Sequence, residues 1–437
     1  MTIYTETMTY DDGLDWIHQQ LKFGIKPGIK RMQWMLEQLG NPQETIKGIH
    51  VVGTNGKGST VNYLKTIFME AGYEVGTFTS PYIMDFRERI ALNGHMISKE
   101  DLVALLEIVK PIAERLPLET GFEPATEFEI ITTMMFLYFG RLHPVDIAII
   151  EAGLGGTFDS TNVFHPLAVI CTSIGLDHQD ILGQDYPDIA AQKVGVLKEG
   201  VPFIFSENKA EVRQVFYDKA VQTHSQVYEF TKDFMVSGRS DNFTFNWQET
   251  QLTGLSLQML GQHQVTNASL AIMCSLLLDE DYPLVSQEVI ASGLSKAKWL
   301  GRTEMMSSNV MIDGAHNKES VAALIDVLKN SFPHKNIHIL FSAIKGKPIH
   351  QMLDQLDRIG SVTVTTFPFP KALDLDDYPQ TYASVANFQD WLATCDTRSE
   401  KDLYVITGSL YFISQVRQYL LAKPCYNKTS ETKDKKE

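Results

Sequence analysis

The sequence predicts an α/β protein in two parts, a larger N-terminal phosphate-loop domain on a parallel-rich sheet and a smaller C-terminal domain of Rossmann-like strand–helix alternation. Three observations carry this. Residues 49–72, IHVVGTNGKGSTVNYLKTIFMEAG, pass from a short apolar strand through a glycine loop into a helix whose Val61, Leu64, Phe68 and Ala71 share one stripe. The segments 145–150 and 168–174 are unalternating apolar runs, as strands buried on both faces are, and each ends in polar residues. From residue 298 to Leu421, strand and helix patterns alternate.

Composition narrows the function classes. The 437 residues, 44% of them hydrophobic, have core enough for two or three domains. A net charge of −15 argues against a nucleic-acid or anionic-membrane surface, so positive charge for a phosphate must be local. No apolar window is long enough to span a bilayer, and MTIYTETMTYDD lacks the basic-then-apolar order of an export signal. Cys171, Cys274, Cys395 and Cys425 show no metal-binding spacing. A reduced, cytoplasmic protein is expected.

Taken in order, residues 11–40 read as two helices broken at Lys26-Pro27-Gly28. In the loop, Gly53, Gly56 and Gly58 let backbone N–H groups converge on phosphate oxygens at a helix N-terminus. Lys57 adds a point charge, and Ser59 or Thr60 a hydroxyl suited to a phosphate-bound Mg²⁺. The spacing is not the usual one, because Gly58 separates Lys57 from Ser59. A strand over 73–79 ends at Ser80, a hydroxyl ligand or simply the start of a turn, and Arg87 and Arg89 suit an anionic substrate or a solvated loop. Ser98 caps one helix; Thr126 with Glu129 forms a capping box on another and needs no function to explain it.

Glu151 follows an apolar strand directly, an expensive place for a carboxylate unless it is paired or holds a cation, and so is the first choice for a metal ligand. Asp159 faces substrate or forms a turn. His178 follows the next strand and could reach the same cation; alone it would be an ordinary loop histidine, but beside Ser80 and Glu151 it suggests a shared site. Lys193 lies on a short, mostly apolar helix. Residues 202–260 read as strands of a hairpin or small sheet, and Asn267 as a cap or a base or ribose contact. Asp313 and His316 end a strand of the second part, which has no glycine-rich loop of its own. The last residues, NKTSETKDKKE, lack apolar anchors and should be disordered.

GTNGKGS, TSPY, TEFE, EAGLGGTFDSTN, TSIGLDH, QKVGVLK, GQHQVTNASLA, LGRTE, DGAHN and ITGSLYFIS together resemble folylpolyglutamate synthase/dihydrofolate synthase, within the Mur ligase superfamily. The resemblance implies a P-loop-type ATPase domain over 1–297, a glutamate-binding ligase domain over 298–425, and a tail at 426–437. It implies an ATP-dependent ligase that joins L-glutamate to a folate through an acyl phosphate, with or without the dihydropteroate reaction; the alternatives are another amide ligase of this fold with a non-folate acceptor and a nucleotide-binding regulator without catalysis. Thr54, Asn55, Gly56, Lys57, Gly58 and Ser59 would cradle ATP phosphates, with Asn267, Arg302 and Asp313 on the nucleotide. Ser80, Glu151 and His178 would hold Mg²⁺, and carbamylated Lys193 a second Mg²⁺. His316 would lie near glutamate or the acyl phosphate, and Lys57, Lys193 and His316 would be the catalytic residues. Pteroate contacts would come from Gly24, Ile25, Lys26 and Pro27, from Thr126, Glu127, Phe128 and Glu129, and from Phe158, Asp159 and Ser160. Departures from the family pattern stand at Thr157, Gln192, Leu300 and Gly346. The implied protein is a monomer with small-molecule partners only.

Overall fold

The break at Lys26–Gly28 separates α1 (Tyr10–Gln19), capped by the Thr9 hydroxyl, from α2 (Lys30–Gln38). This computed structural model describes residues 8–20, 24, 26 and 28–423; Ile25, Pro27, Cys425 and the tail at 426–437 lie outside the described residues. Two units form, one from Met1–Ser237, Thr244–Leu255 and Thr266–Lys296, the other from Gly238–Phe243, Ser256–Val265 and Ala297 onward.

In the first unit the order continues with β1 (Gly48–Val52), α3 (Lys57–Glu70), β2 (Val75–Phe78), β3 (Ile90–Leu92), β4 (His95–Met96), α4 (Lys99–Thr120), α5 (Glu127–Leu137) and β5 (Ile147–Glu151). Then come β6 (Ala168–Cys171), α6 (Gln179–Leu182), α7 (Tyr186–Val194), β7 (Phe203–Phe205), α8 (Ala210–Gln222) and β8 (Val227–Glu229). Eight strands pair in the order β4-β3-β2-β5-β1-β6-β7-β8, and every pairing from β2 to β8 is parallel. β1, β2, β5 and β6 are buried at every residue because helices cover both faces, which is why their sequences do not alternate. One face packs under α1, α2, α4 and α5 with Met35, Leu105 and Ile131, the other under α7 and α8 with Ile189 and Phe216.

Residues 202–260 are not all strand. α8 carries buried Val212, Phe216 and Ala220 at a four-residue spacing, a helical stripe inside a segment expected to be sheet. Besides β7 and β8 of the large sheet, the segment forms β9 (Phe234–Arg239), β10 (Asn242–Trp247) and β11 (Thr250–Leu255), a separate three-stranded sheet, before α9 (Gln262–Leu277) and α10 (Gln287–Lys296).

The second unit runs through β12 (Glu304–Ser307), β13 (Val310–Ile312), α11 (Lys318–Ser331), β14 (Asn336–Phe341), α12 (Ile349–Leu356), β15 (Ser361–Thr365), β16 (Ala383–Val385), α13 (Phe388–Thr394), β17 (Asp402–Thr407) and α14 (Leu410–Leu421). Its sheet order is β12-β13-β17-β14-β15-β16, parallel except for β12. Along β17, Leu403 and Val405 pack on the α11–α12 side, Tyr404 and Ile406 on the α13–α14 side. α13 begins only at Phe388, because Ser384 and Val385 join the sheet edge.

His50, the polar residue inside β1, is fully covered. The Thr161 hydroxyl donates to Asp159 Oδ1 at 2.5 Å and so accepts from His50 Nε2–H at 2.8 Å. Burial, then the Lys198 charge, pushes the His50 imidazole down to about 3. The unfolded chain therefore binds a proton there between pH 6.5 and 3 that the folded chain refuses, so stability falls as pH drops through that window. His50→Leu should flatten the decline relative to the parent in denaturant titrations at pH 7, 5 and 4; parallel declines would show that His50 contributes nothing to it.

Candidate active site

Sheet order places four strand ends side by side. β2, β5, β1 and β6 are neighbours, so the residues after them line one carboxyl edge, where open α/β sheets take ligands. Register makes this concrete, since Val51 pairs with Glu151 and Phe78 with Ile150. Ser80 N consequently donates to Glu151 Oε2 at 3.4 Å, and Lys57 Nζ stands 3.8 Å from Glu151 Oε1. The glycine loop therefore emerges beside a buried carboxylate and below a serine.

Within the loop, Gly56 adopts φ 93° as α3 begins at Lys57, and a Cβ there would lie 2.5 Å from Asn267 Oδ1. Both backbone hand and space require glycine. Asn267, buried on α9, is thus packed on the loop. Thr60 returns its hydroxyl to Gly56 O at 3.1 Å, whereas Ser59 is buried and Gly58 lies in the first turn of α3. Thr54 and Asn55 are zipped to the segment after β6. Thr54 N donates to Ser173 O, the Thr54 hydroxyl pairs with Gly175, Asn55 N donates to Ser173 Oγ, and the Thr172 and Ser173 hydroxyls donate to Asn55 O. These two residues shape the loop through bonds their own amides have already made. Sequence reasoning gave Thr172 and Ser173 no role; the signal was two hydroxyls directly after an apolar strand.

Lys193 reaches the same loop from α7. Its side chain is buried and Nζ donates to Gly53 O at 2.9 Å, the carbonyl that also accepts from Lys57 Nζ at 3.1 Å. Burial, then the Lys57 charge, pushes the Lys193 amine down to about 7. The helix end that delivers it is held from outside, since Thr157 N and Oγ1 both donate to Gln192 O, at 2.7 and 3.1 Å. A Cβ on Gly156 would lie 2.3 Å from Lys193 O, so the loop after β5 lies flat against that last turn.

His178 has φ 53° at the start of α6 and a half-exposed side chain, with its N–H on Asp177 Oδ1 at 3.0 Å. Its loop is braced by Glu207, which accepts from Ile174 N, and by Lys209, which donates to Ile174 O. Among the described residues, no three His, Cys, Asp or Glu side chains gather as a metal site. Ser80, Glu151, Lys57 and Lys193 thus converge on the glycine loop, and His178 follows the end of β6 in the same sheet.

The expected pteroate contacts behave differently from one another. Thr126 and Glu129 form their capping box, Glu129 pairs with the partly exposed Arg31 at 2.8 Å, and Glu127 pairs with Arg89 at 2.9 Å; Thr126, Glu127, Glu129 and Arg89 are buried. Arg89 is thus tied to Glu127, and Arg87 to Asp85, so neither stands as an open anion site. Asp159 accepts from Leu154 N, Thr161 N and the Thr161 hydroxyl, which makes it a loop brace beside buried Ser160. Phe158 is exposed, and its carbonyl takes Gly28 N at 3.3 Å, tying this loop to the one that holds Gly24 and Lys26. Lys26 pairs with Glu123 at 2.9 Å; Phe128 packs at a tilt of 38° against Phe78 and leaves room only for glycine at 153.

In the second unit, Asp313 is buried and accepts from Thr303 N at 2.8 Å and Ala315 N at 2.9 Å; burial raises its carboxyl against the opposing pull of Arg302. Arg302 packs against Gly314, and His316 Nδ1–H donates to Gly314 O at 2.8 Å. His263, almost fully buried, is pushed down to about 4 by burial and then by Arg302.

The comparisons with known proteins concern the chain as a whole. The Mur ligase middle domain matches residues 51–275, and the Mur ligase glutamate ligase domain matches residues 301–410. The chain is 41% identical over 431 residues to the dihydrofolate synthase/folylpolyglutamate synthase of Bacillus subtilis, covering 94% of this chain and 99% of that one. It is 35% identical to the folylpolyglutamate synthase of Lacticaseibacillus casei, covering 96% and 99%. A solved folylpolyglutamate synthase complex with AMPPCP and folate superposes with TM-score 0.84 at 32% identity, covering 95% of this chain and all of that one. The chain belongs to the folylpolyglutamate synthase/dihydrofolate synthase family of Mur ligases.

Proposed function

We propose that this protein is an ATP-dependent ligase that adds L-glutamate to folates, with dihydropteroate as a further acceptor. The observation that carries the reading is one carboxyl edge on which a glycine loop, two lysines and a buried carboxylate meet. In the reaction, the acceptor carboxylate attacks the terminal phosphorus of ATP, giving an acyl phosphate and ADP. The glutamate amine then attacks the acyl carbon, the amide forms, and phosphate leaves.

Each side chain has a part. The amides at the start of α3, with Ser59 and Lys57, hold the phosphates, and the Lys57 ammonium stays on charge that spreads during transfer. Glu151 carboxylate oxygens and the Ser80 hydroxyl are the hard oxygen donors that suit Mg²⁺, with His178 on the next strand end. When bound, Mg²⁺ neutralises the moving phosphoryl charge. Lys193, held near pKa 7, has the neutral amine that attacks CO₂; losing a proton, it becomes a carbamate and adds two more oxygens to the donor set. Asn267, Arg302 and Asp313 serve the nucleotide, His316 the glutamate, and the loops at 24–28, 126–129 and 158–160 the pteroate, there chiefly through Phe158 and backbone.

The same reading makes the protein a cytoplasmic monomer. No helix among the described residues is long and apolar enough to cross a membrane, and the three described cysteines are free. The test incubates the protein with ATP, Mg²⁺ and glutamate, with either tetrahydrofolate or dihydropteroate. ADP and the new amide should form in equal amounts, and ADP release with neither acceptor would reject the assignment. The Bacillus subtilis relative is named for both activities and the Lacticaseibacillus casei relative for one, so the two acceptors are assayed separately.

A further inference from the structure

We propose that Lys345 and Lys371 form a carboxylate-binding step on the second unit that takes the oligoglutamyl tail of an already elongated acceptor. This rests on the ligase reading above. Ile344 and Ala372 pair in an antiparallel bridge, flanked by Lys345 N donating to Lys371 O at 2.8 Å and Leu373 N donating to Ala343 O at 3.0 Å. That pattern sets Lys345 directly opposite Lys371. Ile344 and Ala372 turn into the core, so by the alternation of extended chain both lysines face outward, and both are exposed. Like charges placed opposite one another repel. Neither lysine has a carboxylate partner among the described residues, and Gly346 beside them has open space and adds no opposing charge.

Position supports the assignment. Gly408 N donates to Ala315 O, and Ser342 N to Thr407 O, so the loops after β13, β17 and β14 follow one another along one edge. The Asp313–His316 loop stands at one end and the lysine pair, between β14 and β15, at the other. Two to three strand spacings of about 4.8 Å separate them, roughly 10 to 14 Å in all, a span for a short extended tail. Charge gives the need. Each amide consumes one acceptor carboxylate while the new glutamyl unit brings two, so every addition makes the product one unit more anionic. A chain of net charge −15 repels such a product unless cations meet it locally.

The experiment compares the parent with Lys345→Gln/Lys371→Gln, using tetrahydrofolate with one glutamate and with four. KM for the long acceptor should rise about five- to tenfold, the summed effect of two exposed charge pairs, while kcat and the KM for the short acceptor stay unchanged. The rise should shrink in high salt, and Lys345→Arg/Lys371→Arg should restore the parent KM. Binding of free γ-linked tetraglutamate, followed by calorimetry, should weaken in the Gln variant whether or not the protein turns over. Equal effects on both acceptors, or none with unchanged tetraglutamate binding, would overturn the site. Parent protein that turns over neither acceptor yet binds tetraglutamate through these lysines would overturn the ligase reading instead. Melting temperatures of all variants confirm that they fold.

Discussion

Lys193→Ala should lower turnover about 10²- to 10³-fold, the scale of losing one positioned polar group at a charge-developing centre, while the protein still folds. Folding survives because Gly53 O keeps Lys57 Nζ at 3.1 Å, and because an amine this buried is costly to charge. Between pH 7 and 10.5 the unfolded chain holds the Lys193 proton and the folded chain does not, so the parent gains stability with rising pH over that window. The alanine variant should lose that slope. Lys193→Arg separates two roles: a guanidinium keeps the positive charge but can neither become neutral nor take up CO₂. If Lys193 acts as a carbamate, arginine is as inactive as alanine, and only the parent loses activity when bicarbonate is removed and regains it on addition. Substantial activity in Lys193→Arg would make the residue a plain cation beside Lys57.

The same residues show how far sequence reached and where it stopped. The strand–loop–helix at 48–70 was legible because each signal is local: an apolar run, a φ-permissive glycine, then a 3.6-residue stripe. Glu151 was legible for a similar reason, since a carboxylate directly after a buried strand stands out against its neighbours. The two caps at Ser98 and Thr126 formed as three-residue patterns predict. Fine positioning was not legible, because it rests on bonds between residues far apart in sequence. Asn55 meets Ser173 across 118 positions and Lys193 meets Gly53 across 140. Thr157 illustrates the point best. As a departure from a family pattern it had no meaning alone, yet it supplies both donors that hold the carbonyl of Gln192, the residue before Lys193. Asp159 likewise reads in sequence as substrate-facing or a turn former, and only the fold shows the three donors that converge on it and make it a brace under its own loop. α8 was passed over because its stripe is short and flanked by weakly alternating residues, so helix and strand templates competed on nearly equal terms.

Glu151→Gln should cost turnover on a similar scale, about 10²- to 10³-fold, and should also raise the Mg²⁺ concentration needed for half-maximal rate. The substitution keeps shape and leaves an amide oxygen to accept from Ser80 N, so what it removes is charge. In the parent the carboxylate is nearly covered, with the Lys57 ammonium 3.8 Å away as partial compensation. An ion pair this long and this buried stabilises little, because the desolvation of both groups offsets most of the attraction. Melting temperature should therefore change by only a few degrees, while the dependence on Mg²⁺ changes strongly. A structural carboxylate would give the opposite pattern: an unfolded or much less stable variant whose residual activity keeps the parent's Mg²⁺ requirement. The Lys57 charge is the internal control. With Glu151 neutral, Lys57 loses a nearby counter-charge and should hold ATP phosphates at least as tightly, so nucleotide affinity measured without Mg²⁺ should not fall even as catalysis does. Loss of both together would assign Glu151 to shaping the loop rather than to the metal.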